Sequence, residues 1–191
     1  ANYILNEQGR QDHVANTMSS PYYRFDGSND VIRVGDDADL DPANGDYSIA
    51  GWVYMPDVSS AITFLSRYSD TNNRIRLEYD QATGKFNYYF RTGGANLHAS
   101  NCAWTPTANT WYHIAVVNSN GSSNAMYING VSQTLSTDTT TGGDMSIAAA
   151  IEFGEYNGTA YEQQQSGWKF YNLALTATEV KELYSGASVP F

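Results

Sequence analysis

Apolar and polar residues alternate along most of the chain, in short runs broken by Gly, Asn, Asp and Ser. A period of two sends successive side chains to opposite faces of an extended segment, so each run offers one face to a core and one to its surroundings. The runs YYRFDG, DVIRVG, YSIAGWVYM, AITFLSRY, RIRLEYD, KFNYYFRT, WYHIAVVNS, AMYING, AIEFGEY and GWKFYNL are therefore expected as strands. Asn-Gly pairs in NSNGSSN and INGV sit between runs, where a tight reversal needs left-handed backbone. Gly84 takes the same place in QATGKF. Many short strands with turn signals between them predict an all-β sandwich or barrel.

One segment breaks this rhythm. NLALTATEVKELYSG has the spacing of a helix, with Val180, Leu183 and Tyr184 on one stripe. Thr176 and Glu179 are spaced as a capping box, and Gly186 is the expected stop. The Ser/Thr stretch STDTTTGGD reads as a loop. There is no repeat or linker, so residues 1–191 are read as a single domain with enough apolar side chains, 41% of the chain, for a sizeable core.

Phase assigns faces. Ile49, Gly51 and Val53 are predicted to face the core, leaving Ala50, Trp52 and Tyr54 outward. Phe86, Tyr88 and Phe90 face in, leaving Asn87, Tyr89 and Arg91 out. Ile151 and Phe153 face in, with Glu152 out, and Trp168 and Phe170 face in, with Lys169 out. Extending that last strand backwards puts Gln163 and Gln165 on the outer face. If these strands are neighbours, the outward groups line one exposed sheet.

Charge narrows the partners. Lys and Arg number 10 against 20 Asp and Glu, a net charge of -10, which would repel a phosphate backbone or an anionic membrane surface. No run of about 18 apolar residues exists to span a bilayer, and ANYILNEQGR lacks the features of a signal peptide. Cys102 is the single cysteine, so no internal disulfide or cysteine zinc site is available, and it is expected as a buried thiol.

Five segments, in order from Tyr23 to Tyr184, carry a resemblance: YRFDGSNDVIRV, YSIAGWVYMPD, TWYHIAVVNSNGSSNAMYINGV, IEFGEY and FYNLALTATEVKELY. They are similar to segments of the laminin-G-like and pentraxin-like jelly rolls of the concanavalin A-like lectin/glucanase superfamily. The resemblance implies a two-sheet antiparallel jelly-roll β-sandwich with a short C-terminal helix. Two positions depart from it: Asn129 and Ser166 stand where relatives that hold calcium often carry acids.

Glucanases of that superfamily set acids at alternate positions of one strand, so that a pair flanks the glycosidic bond. The nearest candidate pair, Glu152 and Glu155, is three apart, and an extended strand sends the two to opposite faces. No G-x-S-x-G elbow supports a serine nucleophile. His113 is expected as a hydrogen-bonded structural residue, and His13 and His98 as isolated ones. Asp37, Asp39 and Asp41 begin like a calcium loop, but Pro42 and Ser48 occupy the positions that need Gly and Glu. The turn FDGSND, with Asp26, Asn29 and Asp30, is the tentative calcium site, its alternative being an Asx turn with solvated carboxylates. Asn120 and Asn157 fit the glycosylation sequon but read as turn residues.

Sugars are held by aromatic rings on their C–H faces and by amides, carboxylates and guanidinium groups on their hydroxyls. The 15 Tyr and 4 Trp suit such chemistry. The expected function is non-catalytic polysaccharide binding, by a carbohydrate-binding module or lectin-like domain, with no cofactor required and calcium as an optional ion. Trp52, Tyr54 and Tyr89 would stack, and Asn87, Arg91, Glu152, Gln163 and Gln165 would hydrogen-bond. Trp104 either flanks the sugar or plugs the core. The affinity expected of a shallow face is micromolar or weaker, about -8 kcal/mol at most. The setting would be extracellular or a bacterial or viral surface, within a larger protein. A structural or adhesion domain, and then a glycoside hydrolase or lyase, are the alternatives.

Overall fold

Left-handed backbone at Asn-Gly pairs fixes where the chain reverses. In the computed structural model, which describes residues 22–186, Asn129 (φ 50°) and Gly130 (φ 72°) form a two-residue hairpin between Ile128 and Val131. Residues 1–21 and 187–191 lie outside the described residues, and with them His13, the N-terminal stretch read for a leader, and the ends of the single domain expected over 1–191.

The strands in chain order are β1 (Tyr23–Asp26), β2 (Ile32–Val34), β3 (Tyr47–Met55), β4 (Ile62–Asp70), β5 (Asn73–Asp80), β6 (Lys85–Thr92), β7 (Ala95–Ala103), β8 (Thr110–Ser119), β9 (Ser123–Ile128), β10 (Val131–Ser132), β11 (Leu135–Thr140), β12 (Ile151–Phe153), β13 (Glu155–Tyr156), β14 (Thr159–Ala160) and β15 (Glu162–Tyr171). Helix α1 (Ala177–Ser185) follows, and a 3-10 turn spans Ala38–Leu40. One sheet has six strands in the order β1-β15-β3-β8-β9-β10, the other seven in the order β11-β7-β6-β5-β4-β12-β2. Neighbouring strands run antiparallel throughout, and β13 with β14 forms a separate hairpin. This is the jelly-roll sandwich that the sequence predicts.

The core lies between the sheets. It takes Ile49, Val53, Ile114 and Val116 from one and Phe64, Leu77, Phe86, Tyr88 and Phe90 from the other, all at alternate positions and all buried. Each such side chain contributes about 1.5–3 kcal/mol on leaving water. Gly51 is the small member of its row: a β-carbon there would lie 2.5 Å from the Trp168 ring. Cys102 is buried as expected, and burial pushes its thiol up to about 11, which leaves it protonated and unreactive at neutral pH.

Two strands escape the hydrophobic pattern. β7 alternates small and polar residues, and β11 covers most of the Ser/Thr stretch read as a loop. β11 is an edge strand with one neighbour, and a strand with an exposed flank can be polar at nearly every position. His98 is not isolated: it is fully buried, with Nδ1 3.1 Å from Asn124 Oδ1 and Nε2 3.4 Å from Asn120 Oδ1.

The helix forms as its sequence dictates. Thr176 caps it, with Glu179 completing the capping box, and Gly186 (φ 71°) ends it. Ser48 anchors the chain leading to it, donating to the Leu173 carbonyl at 2.8 Å and accepting from the Leu175 amide at 3.0 Å. Val180 and Leu183 then pack on Ala50, Ala115, Val117 and Tyr127, on the outer face of the six-stranded sheet.

Candidate functional site

The outward residues do not form one surface. Trp52 and Tyr54 are on β3 in the six-stranded sheet, whereas Asn87, Tyr89, Arg91 and Glu152 are in the seven-stranded sheet, on the opposite outer face of the sandwich. Phase was right for β3, β6 and β12; the assumption that these strands are neighbours was not.

On the six-stranded side the aromatics belong to the fold. Trp52 faces outward but is only 8% exposed, because Tyr184 of α1 lies over it, with ring centroids 5.7 Å apart. His113 packs against the same indole at 5.3 Å. That histidine is buried, and its Nδ1 has no hydrogen-bond partner among the described residues, contrary to the satisfied structural histidine expected. Its main-chain amide instead donates to Asn129 Oδ1 at 2.9 Å, which gives Asn129 a structural role where relatives carry an acid. Burial, with Lys169 adding repulsion, pushes the imidazole down to about 4. Tyr54 is half-buried, its hydroxyl donating to Asn109 Oδ1 at 3.0 Å and its ring 5.4 Å from that of Trp111.

Trp104 is a core plug. It is 6% exposed and meets the rings of Phe64, Tyr79, Phe86 and Tyr112, so it cannot flank a sugar.

Gln163 and Gln165 point inward, not outward. The register between β15 and β3 slips between Ser166 and Lys169, with Gly167 at φ 61°, and this bulge reverses the parity counted back from Trp168. The two amides bridge the sheets: Gln163 donates to the Thr63 carbonyl at 2.9 Å and Gln165 to that of Phe64 at 2.7 Å. Trp168 Nε1 donates to Gln165 Oε1 at 2.7 Å. The amides are therefore consumed within the core.

Glu152 and Glu155 were expected on opposite faces, yet both hold Arg33, at 2.7 and 3.1 Å. Gly154 (φ 84°) ends β12 and turns the chain, and a β-carbon there would lie 2.2 Å from the Phe25 ring. The turn carries the β13–β14 hairpin across β4, where Tyr68 and Tyr156 meet edge to face at 5.2 Å.

What remains is the outer face of the seven-stranded sheet. Register aligns one row across it: Arg33, Glu152, Ser66, Arg76, Tyr89 and Ala99 on successive strands. The Arg76 guanidinium stands 5.5 Å from the centre of the Tyr89 ring and 4.8 Å from that of Tyr156. A flanking row brings Glu78, Asn87 and Asn101 together. Glu78 is buried, accepting from Arg76 at 2.6 Å and from Asn87 at 3.3 Å. Burial raises its carboxyl, against the opposing pull of Arg76 and Asn87. Asn87 is thus 2% exposed and bound to Glu78, so it supports the face rather than offering its amide to a ligand. On the other flank Arg74 lies directly opposite Arg91.

Among the described residues, three buried polar atoms on this face have no partner: Arg76 Nε on β5, Arg91 Nε on β6 and Asn101 Oδ1 on β7. They sit on adjoining strands around the half-buried Tyr89. Arg74, Arg76, Glu78, Asn101 and Tyr156 are residues that sequence reasoning missed. The alternation of RIRLEYD carried the signal for the first three, since it faces Arg74, Arg76 and Glu78 the same way. Tyr156 had no such signal, because its position depends on the turn at Gly154.

The calcium turn resembles an Asx turn. Asp26 accepts from the Ser28 amide at 2.8 Å and Asp30 from the Asp26 amide at 3.0 Å, while Asn29 is exposed. Among the described residues no group of three or more His, Cys, Asp or Glu is arranged to hold a metal ion.

A sandwich with one face capped by a helix and the other carrying polar and aromatic rows is the architecture of a lectin-like fold. The chain belongs to the concanavalin A-like lectin/glucanases superfamily, the Laminin G 3 family matching residues 26–181. No curated protein is similar enough in sequence to count as a relative. Among solved structures, the native heptameric SAP-like pentraxin of Limulus polyphemus is 16% identical, with a TM-score of 0.63, over 87% of this chain and 81% of that one. The receptor binding domain of botulinum neurotoxin C/D mosaic serotype is 14% identical, with a TM-score of 0.72, over 90% of this chain and 44% of that one. The binding domain of Paraclostridial Mosquitocidal Protein 1 is 17% identical, with a TM-score of 0.69, over 88% and 44%. The chain thus spans less than half of either toxin domain. Among the described residues no helix is long and apolar enough to cross a membrane.

Proposed function

We propose that this domain recognises a glycan, without catalysis, on the outer face of its seven-stranded sheet. The observation that carries this reading is the cluster of half-buried side chains Arg74, Arg76 and Arg91 with Tyr89, on neighbouring strands of one outer face. Guanidinium N–H groups donate to sugar hydroxyls and carboxylates. The half-buried ring among them supplies a stacking surface for a pyranose C–H face. Arg76 Nε, Arg91 Nε and Asn101 Oδ1, buried and without partners among the described residues, lie beneath this surface as polar groups that the fold itself does not satisfy.

The sugar is an acidic one. Arg74 and Arg91 are direct cross-strand partners, and neither makes an ion pair among the described residues. Like charges placed opposite each other destabilise a sheet. In a chain of net charge -10 with 10 Lys and Arg, pairing them is explained by an anionic ligand. A uronate or a sulfate ester would supply the charge and the sugar ring the hydroxyls. That the structurally similar proteins include toxin binding domains and a pentraxin supports a binding role. The setting proposed for it is the cell exterior or a virion surface, within a larger protein.

The recognition needs no metal; calcium at Asp26, Asn29 and Asp30 is the alternative, and a chelator distinguishes the two. Calorimetry with acidic oligosaccharides (oligogalacturonate, heparin fragments) and neutral ones (cello- and xylo-oligosaccharides) tests the reading. Micromolar binding to an acidic series, insensitive to chelator and weakened about tenfold or more by Arg91→Ala or Tyr89→Ala, is expected. Binding to neither series would overturn it.

One observation favours a second reading. Glu78 and Asp80 alternate on β5, the spacing that places two acids on one face, and burial raises Glu78. Asp80, however, is held in the turn by the Ala82 amide and the Thr83 hydroxyl. Release of reducing sugar from a polysaccharide, abolished by Glu78→Gln, would replace the binding module with a hydrolase.

A further inference from the structure

A cavity of ≈310 Å³ lies between the two sheets, at the end where β3 begins and β15 finishes. Leu65, Ile75 and Ile151 line it from the inner side of the seven-stranded sheet, the side away from the sugar face. Its walls are Ile49, Leu65, Ile75, Ile151 and Phe170, and the segment from Asp39 to Pro42 roofs it. Protein interiors are close-packed, so a hollow of this size with an apolar inner wall and a polar, open mouth is a feature to be explained. Tyr47 also lines it, is 4% exposed, and has a buried hydroxyl with no hydrogen-bond partner among the described residues.

The roof is held in place by one buried cation. Arg67 faces inward on β4, 1% exposed, and meets Asp36 and Asp41 at 2.6 Å each. It also donates to the carbonyls of Leu40 at 3.2 Å and Ala149 at 2.9 Å. Asp41 further accepts from the Ile147 amide at 3.3 Å. A guanidinium with this many partners fixes the roof and keeps the cavity formed without a ligand. Charge at the mouth is one-sided: Asp36, Asp37, Asp39 and Asp41 are answered by Arg67 alone among the ion pairs of the described residues. Asp39 and Asn172, both exposed, border the opening, and Asp39 has no ion-pair partner among the described residues.

We propose that this cavity binds a small molecule with an apolar ring or short alkyl body and a single protonated amine. The body fills the space between Ile49, Leu65, Ile75 and Phe170, and the ammonium stays at the mouth beside Asp39. An apolar lining gives affinity for any body of the right size, and the acidic rim selects the cation.

Cyclohexylmethylamine, cyclohexylmethanol and cyclohexylacetate, titrated separately and followed by heteronuclear NMR, test this. The amine is expected to bind about three- to fivefold more tightly than the alcohol, and the acid more weakly than both. Shifts should map to β3, β15 and residues 39–42. Asp39→Asn should remove the amine's advantage and leave the alcohol's affinity unchanged. Ile75→Phe should abolish binding of all three by filling the cavity. Should that variant fail to fold, Ile49→Phe fills the same space from the other sheet. Equal binding of the three probes, shifts mapping elsewhere, or an unchanged preference in Asp39→Asn would overturn the proposal. Affinity for acidic oligosaccharide is expected to be the same in these variants, so the two sites fail or stand separately.

Discussion

The two outer faces of the sandwich began as the same kind of surface and are used in opposite ways. On the six-stranded sheet the outward residues are Ala50, Trp52, Ala115, Val117 and Tyr127, and helix α1 covers them with Val180, Leu183 and Tyr184. On the seven-stranded sheet the outward residues include Arg74, Arg76, Glu78, Tyr89, Arg91 and Asn101, and several of their buried polar atoms have no partner among the described residues. Small and apolar residues mark the face that the chain buries for its own stability. Arginines and amides with unmet hydrogen bonds mark the face that folding has left unfinished. A tryptophan that faces outward is therefore no sign of a ligand until what lies over it is known.

Substitutions separate the faces, and the largest effect falls on the covered one. Trp52→Ala should cost about 3–5 kcal/mol in chemical denaturation, because it opens a hole under Tyr184. Where the variant is folded, its sugar affinity should match that of the native chain. A loss of affinity at full occupancy of the folded state would move the site to the helix side.

Next comes a pH dependence confined to the same face. The imidazole of His113 titrates near 4 in the fold and about 6.5 in an unfolded chain. The unfolded chain takes up the proton first, so this group contributes its full stability above pH 6.5 and loses it as pH falls towards 4. The loss should reach about 3 kcal/mol. Denaturation of the native chain and of His113→Phe at several pH values should give a shallower fall for the variant over this window. Parallel curves would show that the ring is not buried as described.

The smallest effect is expected at the cap. Thr176→Ala removes the oxygen that accepts from the Glu179 amide at 3.3 Å and should cost about 1 kcal/mol. Hydrogen exchange should then quicken in α1 and in β3 and β8 beneath it, with β5 to β7 unchanged.

The sequence made much of this legible, and where it failed the cause is specific. Strand phase was readable because alternation is a local property: Ile49 and Val53 face in and Trp52 and Tyr54 out, as counted. The helix was readable because its caps are local too. Which sheet a strand joins is not local, and nothing near Trp52 or Tyr89 in the chain reveals that they lie on opposite faces. The glutamines failed for a smaller reason, since a bulge at Ser166 and Gly167 undoes any parity counted through it. Tyr156 reaches the site through the left-handed turn at Gly154, and Asn101 through β7, whose side chains are too small and polar to announce a strand.

Hydrogen–deuterium exchange with and without an acidic oligosaccharide tests the central claim most directly. The account predicts protection over residues 73–92 and 95–103, the strands that carry Arg76, Tyr89, Arg91 and Asn101, with exchange in β3 and α1 unchanged. Protection centred on Trp52 and α1, with β5 to β7 unaffected, would contradict it.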